Sequence, residues 1–386
     1  MNLFLKKMKP IKICLVSLYA YHYFNSKIKS QFGGAELQLY NLATELAKDS
    51  NFDIHFIVGD FGQPDFETRE GVKLYKFFNP RKKLKYFRAI FGFYCLWKLL
   101  KKNNADIYIQ RAAGLETGEV ALYCRKNKKR FVYMAANDED VMEKRPSYFR
   151  KGFMSWIRWW LFKVGLRNTK LVFVQNNKQK EILKKNYNKE GIIRKSAHYI
   201  KEISELELKS FTLWVGKADM ATKQPEIFIE LAKEFPNEKF VMVCPISNDI
   251  NYFEKIKKQA KEVPNLKFID YVPFNEIDDY FLKAKIFVNT SKTEGFPNTF
   301  IQAAKNKTPI LSLNVNPDNM LERYKIGFCT NNNFEKLKNK LKELLKNKTL
   351  WQKMAENAYR YAIENHDIKK IIRQDKKILL NLVKSN

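Results

Sequence analysis

Cysteine is too sparse in this chain to staple it or to hold a metal. The five present, Cys14, Cys95, Cys124, Cys244 and Cys329, are scattered, odd in number and mostly set in apolar runs. Neither a disulfide framework nor a paired-cysteine zinc pattern can be built from them, so a reducing cytosol is the expected compartment. Long apolar runs are missing as well, the longest falling well short of the ~20 residues that a membrane span requires. Residues 1–10 combine a short apolar start with three lysines, but no apolar core or small-residue cleavage site of a secretory leader follows. Neither a solenoid-type repeat nor a low-complexity linker occurs. Acid is short too: 41 acidic residues face 71 basic ones, a formal net charge of +30. An excess of that size favours polyanionic surfaces, whether nucleic acid, anionic lipid or a phosphate-bearing substrate, although a lysine-heavy genome composition supplies such charge without any function.

What is present is enough for two cores. With 386 residues, 45% hydrophobic and 14% aromatic, the chain suits two domains of roughly 150 to 200 residues each and leaves little room for disorder. Residues 11–17 read as a fully buried first strand, continuous rather than alternating in its apolar residues. A loop rich in aromatic and polar residues runs to Gly33 and Gly34, and 35–48 shows helical periodicity through Leu37, Tyr40, Leu42, Leu46 and Ala47. Strand, glycine loop and helix start together make a phosphate cradle, since glycine lets the backbone approach a ligand; two adjacent glycines also make a plain turn. Further strands are expected at 53–58, 72–77, 106–110, 131–134 and 171–174, with helical segments between them. That alternation implies a parallel sheet covered on both faces, with ligands at the carboxyl ends of the strands.

Gln110, Arg111 and Gly114 stand at one such end, and 135–140 (AANDED) at another. Arg111 fits two readings, a substrate contact or a structural ion pair. Asp138, Glu139 and Asp140 match an Asp-x-Asp metal motif in form, but short acidic triplets arise by chance, and the stretch reads as a loop with a helix N-cap. His22, in the loop before Gly33, either enters the site or is packed.

Regular alternation stops between 193 and 210, where the domain boundary is placed. A new strand, 211–215, ends in Gly216 and Lys217, and Lys223 precedes a helix at 225–235. Strands at 240–244 and 266–269, with a helix at 251–261 between them, lead into the most informative stretch, 288–312. There an apolar run (Ile286, Phe287, Val288) opens into a turn punctuated by Gly295 and Pro297. A helix follows with Phe300, Ile301 and Ala304 at its spacing, and then a strand at 308–313. The loop sets Glu294 beside a helix N-terminus whose N–H groups at Asn298, Thr299 and Phe300 are expected to face outward, which suits a phosphate-bearing ligand. Helical segments at 334–346, 350–365 and 367–383 complete the chain.

The run Glu294, Gly295, Phe296, Pro297, then Gln302, Ala303, Ala304, and finally Thr308, Pro309, Ile310, resembles the donor-site signature of the retaining glycosyltransferase family 4. The resemblance implies an α/β chain of the GT-B fold, two Rossmann-like doubly wound domains facing across a cleft. Residues 1–200 would form the acceptor domain, 205–365 the donor domain, and the helix within 366–386 would pack back on the first. Glu294 would contact the transferred sugar, and Gly295, Phe296, Pro297, Asn298 and Thr299 would line the donor. Gln302, eight positions after Glu294, stands where the family has the glutamate that binds the ribose hydroxyls. Its amide still bonds a diol but loses the charge-assisted part of the contact. Gly33-Gly34-Ala35-Glu36 matches the family's glycine loop, which lies against the donor phosphate. Lys217 and Lys223 stand in the positions of the arginine and lysine that clamp the diphosphate; lysine for arginine keeps charge and surrenders bidentate bonding. Asn137-Asp138 aligns with a His-Asp pair, so the histidine is absent, and asparagine cannot transfer a proton. Residues 270–275 match the loop near the nucleobase, and 314–319 with Gly327 the stretch that closes the sheet.

Two basic stretches are interleaved with aromatics. Residues 81–102 hold Tyr86, Phe87, Phe91, Phe93, Tyr94 and Trp97 among lysines and arginines with no acid; 143–170 hold Arg150, Lys151, Arg158 and Lys163 around Trp156, Trp159 and Trp160. Such helices either lie in an anionic membrane interface or cover the sheet with their aromatics in the core. The expected protein is therefore a cytoplasmic enzyme of hexosyltransferase type, peripheral on the inner face of the cell membrane. It would use a nucleotide-diphosphate sugar and a glycan or lipid-linked acceptor of cell-surface polysaccharide synthesis, with no metal or other cofactor and no nucleic acid. The alternatives are a nucleotide-sugar epimerase or hydrolase, and a catalytically weak relative that binds polyanions or membranes, which the departures at Asn137, Lys217 and Gln302 suggest.

Overall fold

The computed structural model describes residues 9–25, 27–28, 33–77, 87–144, 153–203, 209–246 and 249–384. The chain divides into two compact α/β units, residues 1–197 with 369–386, and residues 198–368. The division thus falls just before the 200–205 expected from the sequence.

In the first unit the chain runs β1 (Ile11–Val16), α1 (Tyr21–Phe24), α2 (Gly34–Ala47), β2 (Phe52–Val58), β3 (Phe66–Arg69), β4 (Val72–Lys76), α3 (Phe87–Asn103), β5 (Ile107–Arg111), α4 (Leu115–Lys126) and β6 (Arg130–Met134). It continues through α5 (Phe153–Asn168), β7 (Leu171–Val174), α6 (Asn177–Tyr187) and β8 (Gly191–Ile193). The sheet order is β3-β4-β2-β1-β5-β6-β7-β8. Its central strands are largely apolar, with Ile13, Cys14, Leu15 and Val16 of β1 all fully buried, because helices cover both faces. Going from β1, the chain first builds the sheet on one side and then returns to place β5 on the other. The carboxyl ends of β1 and β5 therefore flank the point where strand order reverses.

A wholly parallel sheet is corrected at one edge, where β3 pairs antiparallel with β4. The two residues between them, Glu70 at φ 50° and Gly71 at φ 76°, both take the left-handed conformation of a tight hairpin turn. β3 itself alternates exposed and half-buried residues and carries a Glu67–Arg69 ion pair at 2.8 Å. Such a one-sided charged strand can only serve as an edge, which it protects from further pairing.

Helices α4 and α5 cross at glycine. A Cβ on Gly118 would lie 2.4 Å from the Leu161 carbonyl oxygen, and one on Gly165 would lie 2.9 Å from that of Thr117. This contact fixes the rotation of α5: Phe162 and Leu166 are buried, while Trp156 and Trp160, one turn apart on one face, remain 49% and 50% exposed.

The last helix, α14 below, has all but its first residue in this unit. Ile371, Ile372 and Leu379 form its buried stripe, and Asp375 lies within it, also buried. There Asp375 takes the Arg194 guanidinium through Nε at 2.9 and 3.1 Å and Nη2 at 2.8 Å. Arg130 Nη2 donates to the Val383 carbonyl at 2.8 Å.

The second unit comprises β9 (Phe211–Val215), α7 (Pro225–Lys233), β10 (Phe240–Val243), α8 (Ile250–Lys261), β11 (Leu266–Ile269), α9 (Ile277–Lys283) and β12 (Ala284–Asn289). It goes on through α10 (Asn298–Lys305), β13 (Ile310–Ser312), α11 (Met320–Arg323), β14 (Gly327–Cys329), α12 (Phe334–Lys346) and α13 (Lys348–His366); α14 (Ile368–Lys384) then leaves it. Its sheet, in the order β11-β10-β9-β12-β13-β14, is parallel throughout. One core, around Phe228, Phe240 and Leu341, fills one face, and another, around Phe281, Phe287 and Phe300, fills the opposite face. Both units are thus Rossmann-like.

Candidate active site

In the second unit β9 and β12 are neighbours, so the loops leaving their carboxyl ends meet. The β9 loop starts with Gly216 and half-buried Lys217. Asp219 shapes it, its Oδ1 accepting the amides of Ala221 at 2.9 Å and Thr222 at 3.2 Å and its Oδ2 accepting the Thr222 hydroxyl at 2.9 Å. Thr290, buried just past β12, ties the two loops together. It accepts the Trp214 indole N–H at 2.8 Å and donates to the Lys223 carbonyl at 2.7 Å. With its backbone pinned, Lys223 sets its ammonium 2.8 Å from Glu294 Oε1.

Glu294 Oε1 also accepts from Ser291 Oγ at 2.6 Å and from Asn289 Nδ2 at 3.1 Å. Oε2 takes no part in these bonds. The side chain is only 18% exposed. Burial pushes its carboxyl up, but the Lys223 charge and the three hydrogen bonds outweigh that and hold it below the usual range. The result is an ionised carboxylate with one oxygen engaged and the other available.

Next to it α10 begins at Asn298, with Pro297 as its extended N-cap. The expectation of an open amide at Phe300 is corrected: that N–H donates to the Pro297 carbonyl at 3.1 Å, closing a tight first turn. Phe296 is corrected as well. Its side chain is 7% exposed and its ring lies 5.3 Å from that of His366, so it belongs to the core and leaves only backbone for a ligand. Gly295 and Pro297 are buried, Thr299 is half-buried, and half-buried Gln302 shares the helix face of Asn298 one turn on.

His198 was missed by the sequence reading. Its Nε2 lies 3.3 Å from Asn298 Oδ1, an acceptor, so that nitrogen carries the proton. Burial first, then the charges of Lys305 and His366, hold the ring well below its ordinary pKa and keep it neutral. His198 thereby positions the first side chain of α10.

In the first unit the expected residues gather at the carboxyl ends of β1, β5, β6 and β7. Gly33 caps α2 in extended backbone; a Cβ there would lie 2.0 Å from Glu36 Oε2, so glycine lets Glu36 fold back over it. Gly34 begins the helix and is exposed. Asn137 caps a single 3-10 turn, Asp138–Val141. Asp138 pairs with Lys178 at 2.7 Å and accepts from Gln179 at 3.0 Å, while Asp140 Oδ2 accepts the amides of Ala136 at 2.7 Å and Asn137 at 3.1 Å. The two aspartates thus serve the loop. Gln175, also missed by the sequence reading, joins β5 to that loop: with its amide assigned so that both neighbours are satisfied, it accepts from Arg111 Nη2 at 3.1 Å and donates to the Ala136 carbonyl at 3.0 Å. His22 is buried, its ring 4.3 Å from Tyr23, which favours the packed reading.

Of the residues read as membrane-facing, Arg150 and Lys151 and the side chain of Arg158 lie outside the described residues. Lys163 is corrected to an internal partner: it is 13% exposed, 3.6 Å from Glu143 and 4.7 Å from the Trp159 ring centre. The Trp159 indole N–H is buried.

Two tandem doubly wound units, the second with a lysine and a carboxylate at the ends of its central strands, define a GT-B protein. Two family models match in succession, Glycosyltransferase Family 4 over residues 32–194 and Glycosyl transferases group 1 over residues 196–361, and the chain belongs to this family of glycosyltransferases. Over 188 residues it is 29% identical to an uncharacterized glycosyltransferase of Haemophilus influenzae. That match covers 48% of this chain and 45% of the relative, so the chain spans about half the length of the curated relative it matches. Among solved structures, sucrose-phosphate synthase from Thermosynechococcus elongatus superposes with a TM-score of 0.78 at 13% identity, covering 97% of this chain and 100% of that one. A glycosyltransferase from Rickettsia africae superposes with a TM-score of 0.71 at 16% identity, covering 98% and 100%. At these identities the likeness establishes the fold.

Proposed function

We propose that the protein transfers a hexosyl group from a nucleotide-diphosphate sugar to a hydroxyl of a glycan or lipid-linked acceptor in cell-surface polysaccharide synthesis, with retention at the anomeric carbon. The observation that carries this reading is the Lys223–Glu294 pair at the ends of β9 and β12, beside the start of α10. A diphosphate is a stronger partner for an ammonium than one carboxylate, so a donor arriving there draws Lys223, with Lys217, onto its phosphates. Glu294 is then released to accept the hydroxyls of the sugar. In this reading the two lysines and the backbone amides of Asn298 and Thr299 stabilise the departing diphosphate, which is the main contribution to rate. The departing phosphate takes the proton of the acceptor hydroxyl, so no histidine is needed where Asn137 stands. No cofactor beyond the donor enters the scheme.

The test is thermal denaturation with a panel of nucleoside diphosphates. At least one is expected to stabilise the protein progressively, by ~2.7 kcal/mol at a hundredfold excess over its Kd, and Lys223→Met to abolish the effect. Indifference to every nucleotide would favour a polyanion binder. Turnover of donor without acceptor would favour an epimerase or hydrolase.

The proposed site of action is the inner face of the cell membrane. No helix among the described residues is long and apolar enough to cross a membrane. Support for surface attachment comes from Trp156 and Trp160 exposed together on α5, Phe93 and Tyr94 exposed on α3, and a net charge of +30. Trp156→Ala combined with Trp160→Ala is expected to cut co-sedimentation with phosphatidylserine-containing vesicles several-fold; unchanged sedimentation would leave α5 as an ordinary covering helix.

A further inference from the structure

Arg111 ends β5 in the first unit and is 7% exposed. Among the described residues its guanidinium makes one side-chain bond, the 3.1 Å contact from Nη2 to Gln175. Its Nε is buried and has no acceptor among the described residues. No carboxylate of the described residues lies within ion-pairing distance of it. The charged groups around it are Arg194, Asp140 and Glu36. Arg194 adds a second positive charge and holds Asp375 for itself. Asp140 accepts the amides of Ala136 and Asn137, and Glu36 folds over Gly33. Burial and the Arg194 charge pull the Arg111 pKa down to about 10, with Asp140 and Glu36 opposing, so the group is still charged at neutral pH.

A buried arginine that serves only the fold is normally paired, because a desolvated charge without a counter-charge is costly. Among the described residues Arg111 lacks that partner, and its place in the topology supplies an independent reason for one to arrive. It is the last residue of β5, next to β1, at the reversal of strand order where open parallel sheets bind ligands. The hydroxyls of a neutral acceptor do not require a guanidinium; an oxyanion does.

We propose that Arg111 binds a phosphate or carboxylate carried by the acceptor, so that the acceptor is an anionic sugar derivative rather than a neutral glycan. The acceptor part of this statement rests on the transfer reading above; the anion site does not. Gln175 ties the guanidinium to the loop of Ala136 and limits its movement.

The test uses the full chain and thermal denaturation with inorganic phosphate, a hexose 6-phosphate, a hexuronate and the neutral hexose. Wild type is expected to be stabilised by at least one of the three anions and not by the neutral sugar, and the comparison of phosphate with carboxylate identifies the group. Arg111→Gln should raise the half-saturating concentration by about tenfold or more, Arg111→Lys by less, and Lys185→Gln, an exposed charge on α6, not at all. If Arg111→Gln does not fold, Arg111→Lys carries the test. No stabilisation of wild type by any anion would overturn the proposal. So would an undiminished response in the Arg111 variants, which would assign the binding to the basic surface. A nucleoside diphosphate in parallel separates the two readings: stabilisation by it alone sinks the anion site and spares the transfer reading, and stabilisation by the simple anions alone does the reverse.

Discussion

Glu294→Gln is expected to lower sugar transfer by ~10²- to 10³-fold with both units still folded. The substitution keeps the shape of the side chain and removes its charge. Oε1 receives Lys223, Ser291 and Asn289 in the native site, all donors. A glutamine that keeps its oxygen there must turn its NH₂ toward the sugar, losing an acceptor; one that turns the other way sets NH₂ against the Lys223 ammonium. Either arrangement harms the transition state more than donor binding, so kcat should fall more than KM rises. Wild-type turnover in the variant would remove Glu294 from the chemistry. The same carboxylate has a signature in stability. Its folded pKa lies below the unfolded value of ~4.3, so its contribution is complete above that pH and is lost as pH falls through the lower folded value. Urea midpoints of wild type and Glu294→Gln should therefore differ at pH 7, and the difference should shrink as pH falls through the lowered folded value.

Asp375→Ala is expected to destabilise the first unit by ~3–5 kcal/mol, because it strands the buried Arg194 guanidinium. The intact pair is a poor stabiliser in its own right. Burial pushes the Asp375 carboxyl up and outweighs Arg194, so the native state holds that proton more tightly than the unfolded chain does. This contribution is present below the unfolded pKa of ~3.9 and is lost as pH rises through the higher folded value. Replacing both partners by apolar residues, Arg194→Met with Asp375→Leu, should then recover most of the loss. Equilibrium denaturation of the single and double variants measures this; a double variant no more stable than the single ones would show the pair to be worth more than its desolvation.

The sheets were legible because most of their strands are buried on both faces. Continuous apolar runs such as 131–134 and 240–244 mark β6 and β10. β3 was invisible for the opposite reason: Phe66-Glu67-Thr68-Arg69 has the composition of a surface turn, and only the left-handed pair Glu70-Gly71 marks the hairpin. Around 288–312 the order of strand, loop, helix and strand followed from Gly295, Pro297 and the helical spacing. The internal bonds of the site did not. Lys223 meets Glu294 because β9 and β12 are neighbours, and strand adjacency leaves no local trace in a single chain. His198, Gln175 and Asp375 were unreadable likewise, as each gains its role from a partner far along the chain. Lys163 misled through composition: a lysine among tryptophans looks like an interfacial cation until the glycine crossing of α4 and α5 shows which way it points.

Residues 369–386 belong to the first unit although the whole of the second precedes them. A ribosome therefore finishes the eight strands of the first unit long before it delivers the carboxylate that neutralises Arg194. Until then the nascent unit holds an unmatched charge and an uncovered apolar groove where Ile371, Ile372 and Leu379 will sit. The second unit, complete at residue 368, has all of its own core residues available during that wait.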